Sequence, residues 1–347
     1  MEYVQTVLGR IAPEDMKITL PHEHILWDHG VVYASGLSDD PEEQAFLHRK
    51  ICMKDLGKIR YNMHAHRDNV YQDDPVEAAE ELSEYKRAGG TTLCDCSCFG
   101  TGRNPRAVRQ VAKDSGVNII MATGVYVERS HPEQIRQLSI NGLADMFIKE
   151  LTEGMDDTDI KAGFIGEMGV SADFPQREKD ALVAACIAQK ETGAAILIHQ
   201  PGFHIAWEIV DLFEKNGGDL SKTALCHSDA MIGDIDCLDG LAKAGINLTF
   251  DQFGLEFLMR IVDNYNVWLP RDYDRIRTVA ELLRRGNQNI MLSQDVAFKA
   301  CYKKYGGWGY SHILENIIPL LLHEGVTQEQ IDQMTIENPK KIFTLHD

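Results

Sequence analysis

Short apolar runs alternate with helical patterns along this chain, and the alternation limits its fold more than any other feature. Eight runs rich in Val, Ile, Leu and Thr predict buried strands, and a segment with helical spacing of apolar residues follows each of them. The predicted strands are 17–22, 90–96, 117–123, 161–167, 194–199, 223–227, 246–251 and 289–295. The predicted helices are 75–88, 105–114, 132–153, 175–192, 204–215, 233–244, 273–285 and 311–323.

Strict strand–helix alternation with right-handed crossovers produces a parallel sheet, and eight units favour closure into an α/β fold of the (β/α)8 TIM-barrel type. An open, doubly wound sheet is the alternative. Its nucleotide-binding version is disfavoured, because Pro21-His-Glu-His24 follows the first strand in place of a glycine-rich phosphate loop. The length of 347 residues suits one barrel, so residues 1–347 are expected to form a single domain.

The charge balance limits the class of partner. A formal net charge of −18 disfavours nucleic acid and anionic membrane surfaces, which are held by clustered Lys and Arg. No apolar stretch is long enough to span a bilayer, and residues 1–13 lack the pattern of a signal peptide. We therefore expect a cytoplasmic protein with a small-molecule substrate and reduced cysteines. The run Cys94, Cys96 and Cys98 is predicted to pack on one face of a strand rather than to bind a metal.

Three βα loops are long. Loop 1 runs from about Ile25 to Asp74, loop 7 from Gln252 to Arg271, and loop 8 follows the last strand and contains a glycine-rich turn that presents Trp308. Long loops in a compact barrel usually line or cover a site. The apolar side chains of loop 7 would equally suit a subunit contact, which leaves a homodimer open.

Potential metal ligands stand at the predicted ends of several strands. They are His22, His24, Glu167, His199, His227 and Asp295. Alternate side chains of a strand point to the same side, so residues that point into the barrel are predicted to precede these ligands. They are Ile18 and Leu20, Gly163 and Ile165, Ala195 and Leu197, Thr223 and Leu225, and Met291 and Ser293. Barrel active sites lie at the C-terminal ends of the strands, so these ligands would surround one mouth. Four imidazoles and two carboxylates suit two divalent ions, zinc first and manganese or cobalt as alternatives.

Other histidines and acids lie near these positions in the sequence. His64 and His66 share the His-x-His spacing but lie in a polar segment, and we interpret them as loop residues. Asp229 and Asp251 follow strands six and seven. They would either orient ligating imidazoles or cap the strand ends.

Several motifs carry a family resemblance. They are Thr19-Leu-Pro-His-Glu-His24, Gly163-Phe-Ile-Gly-Glu-Met-Gly169, Ile198-His-Gln-Pro201, Cys226-His-Ser-Asp229, Leu292-Ser-Gln-Asp295 and Glu337-Asn-Pro339. In this order and spacing the chain resembles the phosphotriesterase-like family of the amidohydrolase superfamily over almost its whole length. The resemblance implies that His22, His24 and Asp295 hold a buried metal, that His199 and His227 hold a more exposed one, and that a hydroxide bridges the two.

Position 167 departs from many members of that family. A carboxylated lysine bridges the metals in those members, whereas Glu167 here would bridge them directly. The chain is similar to the glutamate-bridged branch, whose members more often hydrolyse carboxylic substrates.

The expected reaction is a metal-dependent hydrolysis. Hydroxide would attack a polarised carbonyl, and Asp295 would accept its proton and pass it to the leaving group, unless Asp295 acts purely as a ligand. The leading hypothesis is a carboxylic ester hydrolase or lactonase. The alternatives are an amidohydrolase of N-acyl amino acids or N-acyl aminosulfonates, a weak phosphotriesterase, and a metal-binding protein without catalysis.

Cations near the mouth predict an anionic group on the substrate. The candidate substrate contacts are Tyr126, Arg275, Lys303 and Tyr305, with Lys304 beside them. An ion pair at a helix start is the alternative role for Arg275. A solvated loop is the alternative for the two lysines.

Overall fold

Eight parallel strands form the central sheet of the computed structural model, which describes residues 1–32, 40–201, 203–261 and 265–347. The strands are β1 (Thr19–Glu23), β2 (Thr92–Asp95), β3 (Asn118–Thr123), β4 (Phe164–Gly169), β5 (Ile196–His199), β6 (Thr223–Leu225), β7 (Asn247–Phe250) and β8 (Ile290–Leu292). Their spatial order follows the chain, and each pairs in parallel with the next. All eight predicted strands are present.

The two edges of the sheet meet where β8 approaches β1. The backbone N–H of Asp295 donates to the carbonyl of His22 (3.3 Å), and the N–H of His22 donates to Ser293 Oγ (3.1 Å). The buried carboxylate of Glu23 accepts from the N–H of Val296 and from the Ser293 hydroxyl, at 2.8 Å each. The sheet thus curls into a barrel, which confirms the predicted fold.

A helix follows every strand. They are α1 (Pro75–Arg87), α2 (Pro105–Ser115), α3 (Ile140–Thr152), α4 (Gln176–Thr192), α5 (Phe203–Asn216), α6 (Ile235–Lys243), α7 (Asp272–Arg284) and α8 (Ile318–His323), the last preceded by a π-helical turn at Ile313–Ile317. Proline opens α1 and α2 behind the side-chain caps Asp74 and Asn104. The helix predicted at 132–153 is instead divided into Glu133–Arg136 and α3, because Ser139 caps a new helix start.

Apolar side chains alternate between the barrel interior and the layer beneath the helices. Cys94, Ile120, Leu197 and Met291 are among those that fill the interior. The prediction that every ligand continues an inward apolar series is wrong for three strands, where Leu20, Ile165 and Leu225 pack outward against the helices. The predicted ligands beyond them still reach the barrel mouth. On β1 and β4 the pairing register shifts, between Leu20 and Glu23 and between Ile165 and Met168. Beyond β6, His227 has a left-handed backbone (φ 55°).

Structure at both chain ends covers the N-terminal side of the barrel and was not predicted from the sequence. A hairpin of Glu2–Thr6 and Gly9–Ile11 pairs with the C-terminal strand Leu345–His346. Side chains from these regions, Val4 and Phe343 among them, complete the interior cluster.

The C-terminal side carries the long loops, as predicted. Loop 1 contains a helix at Pro41–His48, and loop 7 contains an antiparallel hairpin of Leu258–Ile261 and Tyr265–Trp268. Residues 33–39 of loop 1 and 262–264 of loop 7 lie outside the described residues. No helix in the described part of the chain has both the length and the apolar character needed to cross a membrane.

Candidate metal centre

All six predicted ligands meet at the C-terminal mouth of the barrel. They are His22 and His24 on β1, Glu167 on β4, His199 at the end of β5, His227 beyond β6 and Asp295 beyond β8. Five of them are buried, and the side chain of His199 is 24% exposed. The strand ends therefore assemble the ring that the sequence predicts.

Glu167 stands between two pairs of histidines. Its Oε2 lies 2.9 Å from His22 Nε2 and 3.8 Å from His24 Nε2. Its Oε1 lies 2.8 Å from His199 Nδ1 and 3.8 Å from His227 Nε2. Each oxygen of one carboxylate thus faces a different histidine pair, which is the geometry expected of a bridging ligand.

The arrangement of these atoms fits bound divalent cations. His22 Nε2 and Glu167 Oε2 are buried 2.9 Å apart, and neither has another hydrogen-bond partner among the described residues. The ring nitrogens His199 Nδ1 and His227 Nε2 face each other at 2.9 Å. Two groups that share Glu167 have ligand atoms within 4.8 Å of one another, one with His22 and His24 and the other with His199 and His227. Neutral imidazoles and carboxylates are suitable ligands for zinc and related ions.

Asp295 faces both halves of the centre. Its Oδ1 lies 3.5 Å from His24 Nε2 and 3.7 Å from His22 Nε2, and its Oδ2 lies 3.9 Å from His227 Nδ1. Burial raises the pKa of Asp295 to about 6, against the opposing effect of His22 and His227. The residue has a left-handed backbone (φ 50°), a conformation that costs about 1–2 kcal/mol and is concentrated at functional sites.

Asp251 orients one histidine from each pair. Its Oδ2 lies 2.9 Å from His22 Nδ1, its Oδ1 lies 2.9 Å from His227 Nδ1, and the backbone N–H of His227 donates to both oxygens. These contacts are those expected of a residue that orients imidazoles, one of the two roles considered for Asp251. Asp229 has a different role, since it accepts from the backbone N–H groups of Asp251 and Gln252.

Sequence reasoning missed several residues that position the ligands. Glu23, between the two histidines of β1, holds the segment that carries Asp295, and Ser97 Oγ lies 3.1 Å from His24 Nδ1. Gly166, with φ +144°, precedes Glu167, and a Cβ there would lie 2.7 Å from the Leu197 carbonyl oxygen. Of these residues, only Glu23 has a signal in the sequence. It is an acidic residue between two histidines of a buried strand, and the sequence shows no evident partner for it.

Tyr126 and His29 lie at the edge of the site. The hydroxyl of Tyr126 lies 3.4 Å from His199 Nε2, and its half-buried ring meets the imidazole edge-on. Burial and the carboxylates of Glu167 and Asp295 hold the pKa of Tyr126 well above its usual value, so its hydroxyl remains a donor at neutral pH. His29 packs against His24 with ring centroids 4.9 Å apart, and burial lowers its pKa to about 4.

Of the two loop histidines in the 60–74 segment, His64 reaches this region. Its ring centroid lies 5.5 Å from that of Phe298, which also packs against His29. His66 packs against Phe46 of the loop 1 helix instead. Both remain loop residues, as predicted, although both are buried.

The structure places Arg275 in a buried ion-pair network rather than at an open surface. Its guanidinium donates to Asp229 and to Asp272, at 2.9 Å each, and to the carbonyl of Leu255 at 3.1 Å. The side chain is fully buried, which leaves no face for a substrate. Our expectation of a substrate contact is therefore corrected in favour of the ion-pair alternative.

Arg275→Met should destabilise the fold by about 3–5 kcal/mol, because it leaves the buried Asp229 carboxylate without its cation. Urea unfolding followed by circular dichroism measures the loss. The matched control is Arg271→Met, which removes an exposed pair with Asp274 and should cost less than about 1 kcal/mol. Equal stability of the two variants would contradict the structural role of Arg275.

Lys303 and Tyr305 also bind acidic residues that are not among the predicted ligands. Lys303 Nζ pairs with Glu315 at 2.9 Å, and the Tyr305 hydroxyl donates to Glu77 at the start of α1. Lys304 pairs with Glu77 as well. These contacts do not bring the three side chains to the metal centre, and the partly exposed Lys303 and Lys304 fit the alternative of a solvated loop.

The cysteine run is buried, as predicted. Cys94 and Cys96 belong to the barrel interior, and the Cys98 thiol lies 3.3 Å from the Glu167 carbonyl oxygen. Burial raises the pKa of all three thiols, which therefore stay protonated. This supports packing as their role.

Comparison with known proteins decides the family. Residues 2–343 match the Phosphotriesterase family. The chain belongs to the phosphotriesterase family. The N-acetyltaurine hydrolase of Danio rerio is 37% identical to it over 345 residues, which cover 98% of this chain and 97% of the relative. The N-acetyltaurine hydrolase of Homo sapiens is 35% identical over 345 residues, with the same coverage.

Solved structures share the fold of this chain. A resiniferatoxin-binding protein from Rhodobacter sphaeroides matches with a TM-score of 0.94 at 33% identity, covering 98% of this chain and 94% of that one. A lactonase from Listeria monocytogenes matches with a TM-score of 0.78, covering 99% of this chain and 100% of that one, but at 20% identity this shows the fold alone. The predicted resemblance is confirmed, and the protein is a hydrolase of a metal-dependent family.

Proposed function

We propose that this protein is a binuclear metal-dependent amidohydrolase that cleaves small N-acylated amines carrying an acidic group, such as N-acyl aminosulfonates. The proposal of two metal ions rests on Glu167, because its two carboxylate oxygens face separate histidine pairs. The amide part is supported by the full-length relatives named N-acetyltaurine hydrolase. They favour the second of our hypotheses from sequence over the leading one, a lactone or carboxylic ester.

The metal ligands divide into two sets that share one residue. His22, His24 and Asp295 would hold one ion, His199 and His227 the other, and Glu167 would contribute to both. Bound divalent ions lower the pKa of water from 15.7 to about 7 and polarise a carbonyl oxygen. We propose zinc for both ions.

Asp295 would transfer the proton. Its carboxylate faces both histidine pairs, so it is placed to accept a proton from the attacking water. An amine leaves an amide readily only when its nitrogen is protonated. Asp295 would therefore return the proton to the leaving nitrogen.

Tyr126 would contact the substrate from the side of β3. Its hydroxyl is next to His199, the most exposed of the six ligands, and it stays protonated at neutral pH. A substrate carbonyl bound on that side would accept its hydrogen bond. Tyr126 thus remains our proposed polar contact for the acyl group.

The experiment compares an amide and an ester that differ only at the scissile bond, together with a lactone and a phosphotriester. The zinc-loaded protein is assayed with N-acetyltaurine, with the acetyl ester of isethionate, and with a simple lactone and a phosphotriester. Each kcat/KM is divided by the rate of uncatalysed hydrolysis, since esters are intrinsically more reactive. We expect the largest enhancement for the amide. A larger enhancement for the ester, the lactone or the phosphotriester would overturn the amide assignment.

A further inference from the structure

A buried carboxylate with no cation beside it lies on the strand next to β1. Asp95 ends β2, and its Cα partner in the parallel pairing is Glu23, which stands between His22 and His24. The Asp95 side chain is fully buried, its Oδ2 has no hydrogen-bond partner, and no Lys, Arg or His nitrogen lies within 4.0 Å of its carboxylate among the described residues. A buried carboxylate is costly unless another group compensates its charge, so the surroundings of Asp95 need an explanation.

Ser97 connects this carboxylate to His24. The backbone N–H of Ser97 donates to Asp95 Oδ1 at 3.0 Å, and Ser97 Oγ lies 3.1 Å from His24 Nδ1. The other ring nitrogen of His24, Nε2, faces Glu167 at 3.8 Å and Asp295 at 3.5 Å. The imidazole therefore presents one nitrogen to the metal centre and the other to the serine hydroxyl.

Asp95 also faces the backbone on the other side of His24. Burial raises the pKa of Asp95 to about 7, and hydrogen bonds from the Ser97 side chain, the Ser97 N–H and the Ile25 N–H oppose that rise. Ile25 directly follows His24 in the sequence. One carboxylate thus contacts both the chain after this histidine and the hydroxyl beside its ring.

We propose that Asp95 is a positioning residue for His24 and acts through Ser97. The Nδ1–H of His24 donates to the Ser97 hydroxyl, and that hydroxyl donates to Asp95. Histidine ligands generally donate their second nitrogen to an oxygen, which fixes the tautomer and the direction of the ring. The proton on Nδ1 leaves Nε2 unprotonated towards the metal centre, and a cation held there is the positive charge that Asp95 lacks among its neighbours.

This proposal rests on the proposed metal centre. It gives His24 the kind of partner that Asp251 gives to His22 and His227, with a hydroxyl between the imidazole and the carboxylate.

A second buried serine provides the control. Ser228 is fully buried and directly follows the predicted ligand His227. Its hydroxyl donates to the backbone carbonyl of Leu225 at 3.0 Å and, among the described residues, makes no hydrogen bond to an imidazole. Ser228→Ala therefore removes a buried hydroxyl beside the same centre without removing a contact to a histidine ring.

The first test observes the His24 ring directly. Heteronuclear NMR of the zinc-incubated protein identifies which ring nitrogen carries the proton, and the His24→Gln variant assigns the signal. We expect the proton on Nδ1, with a downfield shift caused by its hydrogen bond to the serine. The shift should be lost in Ser97→Ala, reduced in Asp95→Asn and retained in Ser228→Ala. A proton on Nε2, or an unchanged shift in either of the first two variants, would overturn the proposal.

The second test locates the change in metal affinity. Zinc is withdrawn from each protein with chelator buffers of increasing strength, and anomalous scattering from crystals at each step shows which ion remains. Ser97→Ala and Asp95→Asn should weaken binding on the His22–His24 side of Glu167 by about 10- to 100-fold, so that this ion leaves first. Ser228→Ala should release zinc as the wild type does. Wild-type affinity in Ser97→Ala and Asp95→Asn would overturn the proposal.

The two tests together separate this proposal from the proposed function. Suppose that the protein binds a single ion on the His22–His24 side, or hydrolyses no amide, while both variants lose the NMR shift and bind zinc more weakly. That result would uphold the positioning role and reject the proposed function. Two ions and amide hydrolysis, with wild-type NMR shift and zinc affinity in both variants, would reject the positioning role alone.

Discussion

Asp295→Asn should leave the barrel folded and lower turnover by at least about a hundredfold, the usual scale for losing a general acid–base group. Asparagine retains the size of the side chain and the backbone hydrogen bond to His22, but it cannot accept and return a proton. The measurement is kcat on the best amide substrate with saturating metal.

Metal content and thermal unfolding must accompany that rate. Retained metal, an unchanged melting temperature and low turnover would support proton transfer by Asp295. Near-normal turnover with metal retained would contradict that role. Loss of metal would show that ligation by Asp295 dominates its contribution, since its oxygens lie 3.5–3.9 Å from histidines of both pairs.

Asp251→Asn should weaken metal binding by about 10- to 100-fold, although we do not place Asp251 among the ligands. The carboxylate faces the Nδ1 atoms of His22 and His227 at 2.9 Å each, and so it fixes one histidine of each pair. An amide presents an N–H group to one of them and disturbs its orientation. Competition with a fluorescent chelator measures the affinity.

Thr249→Val is the matched control. Thr249 lies on β7, two residues before Asp251, it is fully buried, and its hydroxyl has no hydrogen-bond partner among the described residues. Removal of that hydroxyl should leave metal affinity unchanged. If both variants bind metal equally well, Asp251 does not orient the histidines.

The barrel was predictable because its local signals agree with its overall fold. Strands of a parallel sheet are buried on both faces and appear as short apolar runs. The helices that start at Pro75 and Pro105, each directly after an N-cap residue, begin where the sequence indicates. The positions of the candidate ligands were predictable for a related reason. Polar residues at strand ends such as His199 and Asp295 stand out against the apolar series.

The side-chain directions next to the candidate ligands were not predictable from the simple alternation of inward and outward residues along a strand. Leu20 and Ile165 point outward, and register shifts carry the chain to His22 and Glu167. Such irregularities are stabilised by contacts remote in sequence, for example Glu23 with the segment after β8.

The charged residues in the loops were the least predictable. Arg275 looks like a free cation in the sequence, but its partner Asp229 lies 46 residues earlier and is buried with it. Only the folded arrangement shows which acidic residues pair with Arg275.

In the proposed site one glutamate joins two metal ions, and counting and locating the bound metals tests this arrangement. The protein is stripped with a chelator, reloaded with zinc, manganese or cobalt, analysed for metal content and crystallised for anomalous scattering. We predict about two ions per chain, one on the His22–His24 side of Glu167 and the other on the His199–His227 side. A stoichiometry that stays at one or below with all three metals, or a single anomalous peak at Glu167, would contradict the claim.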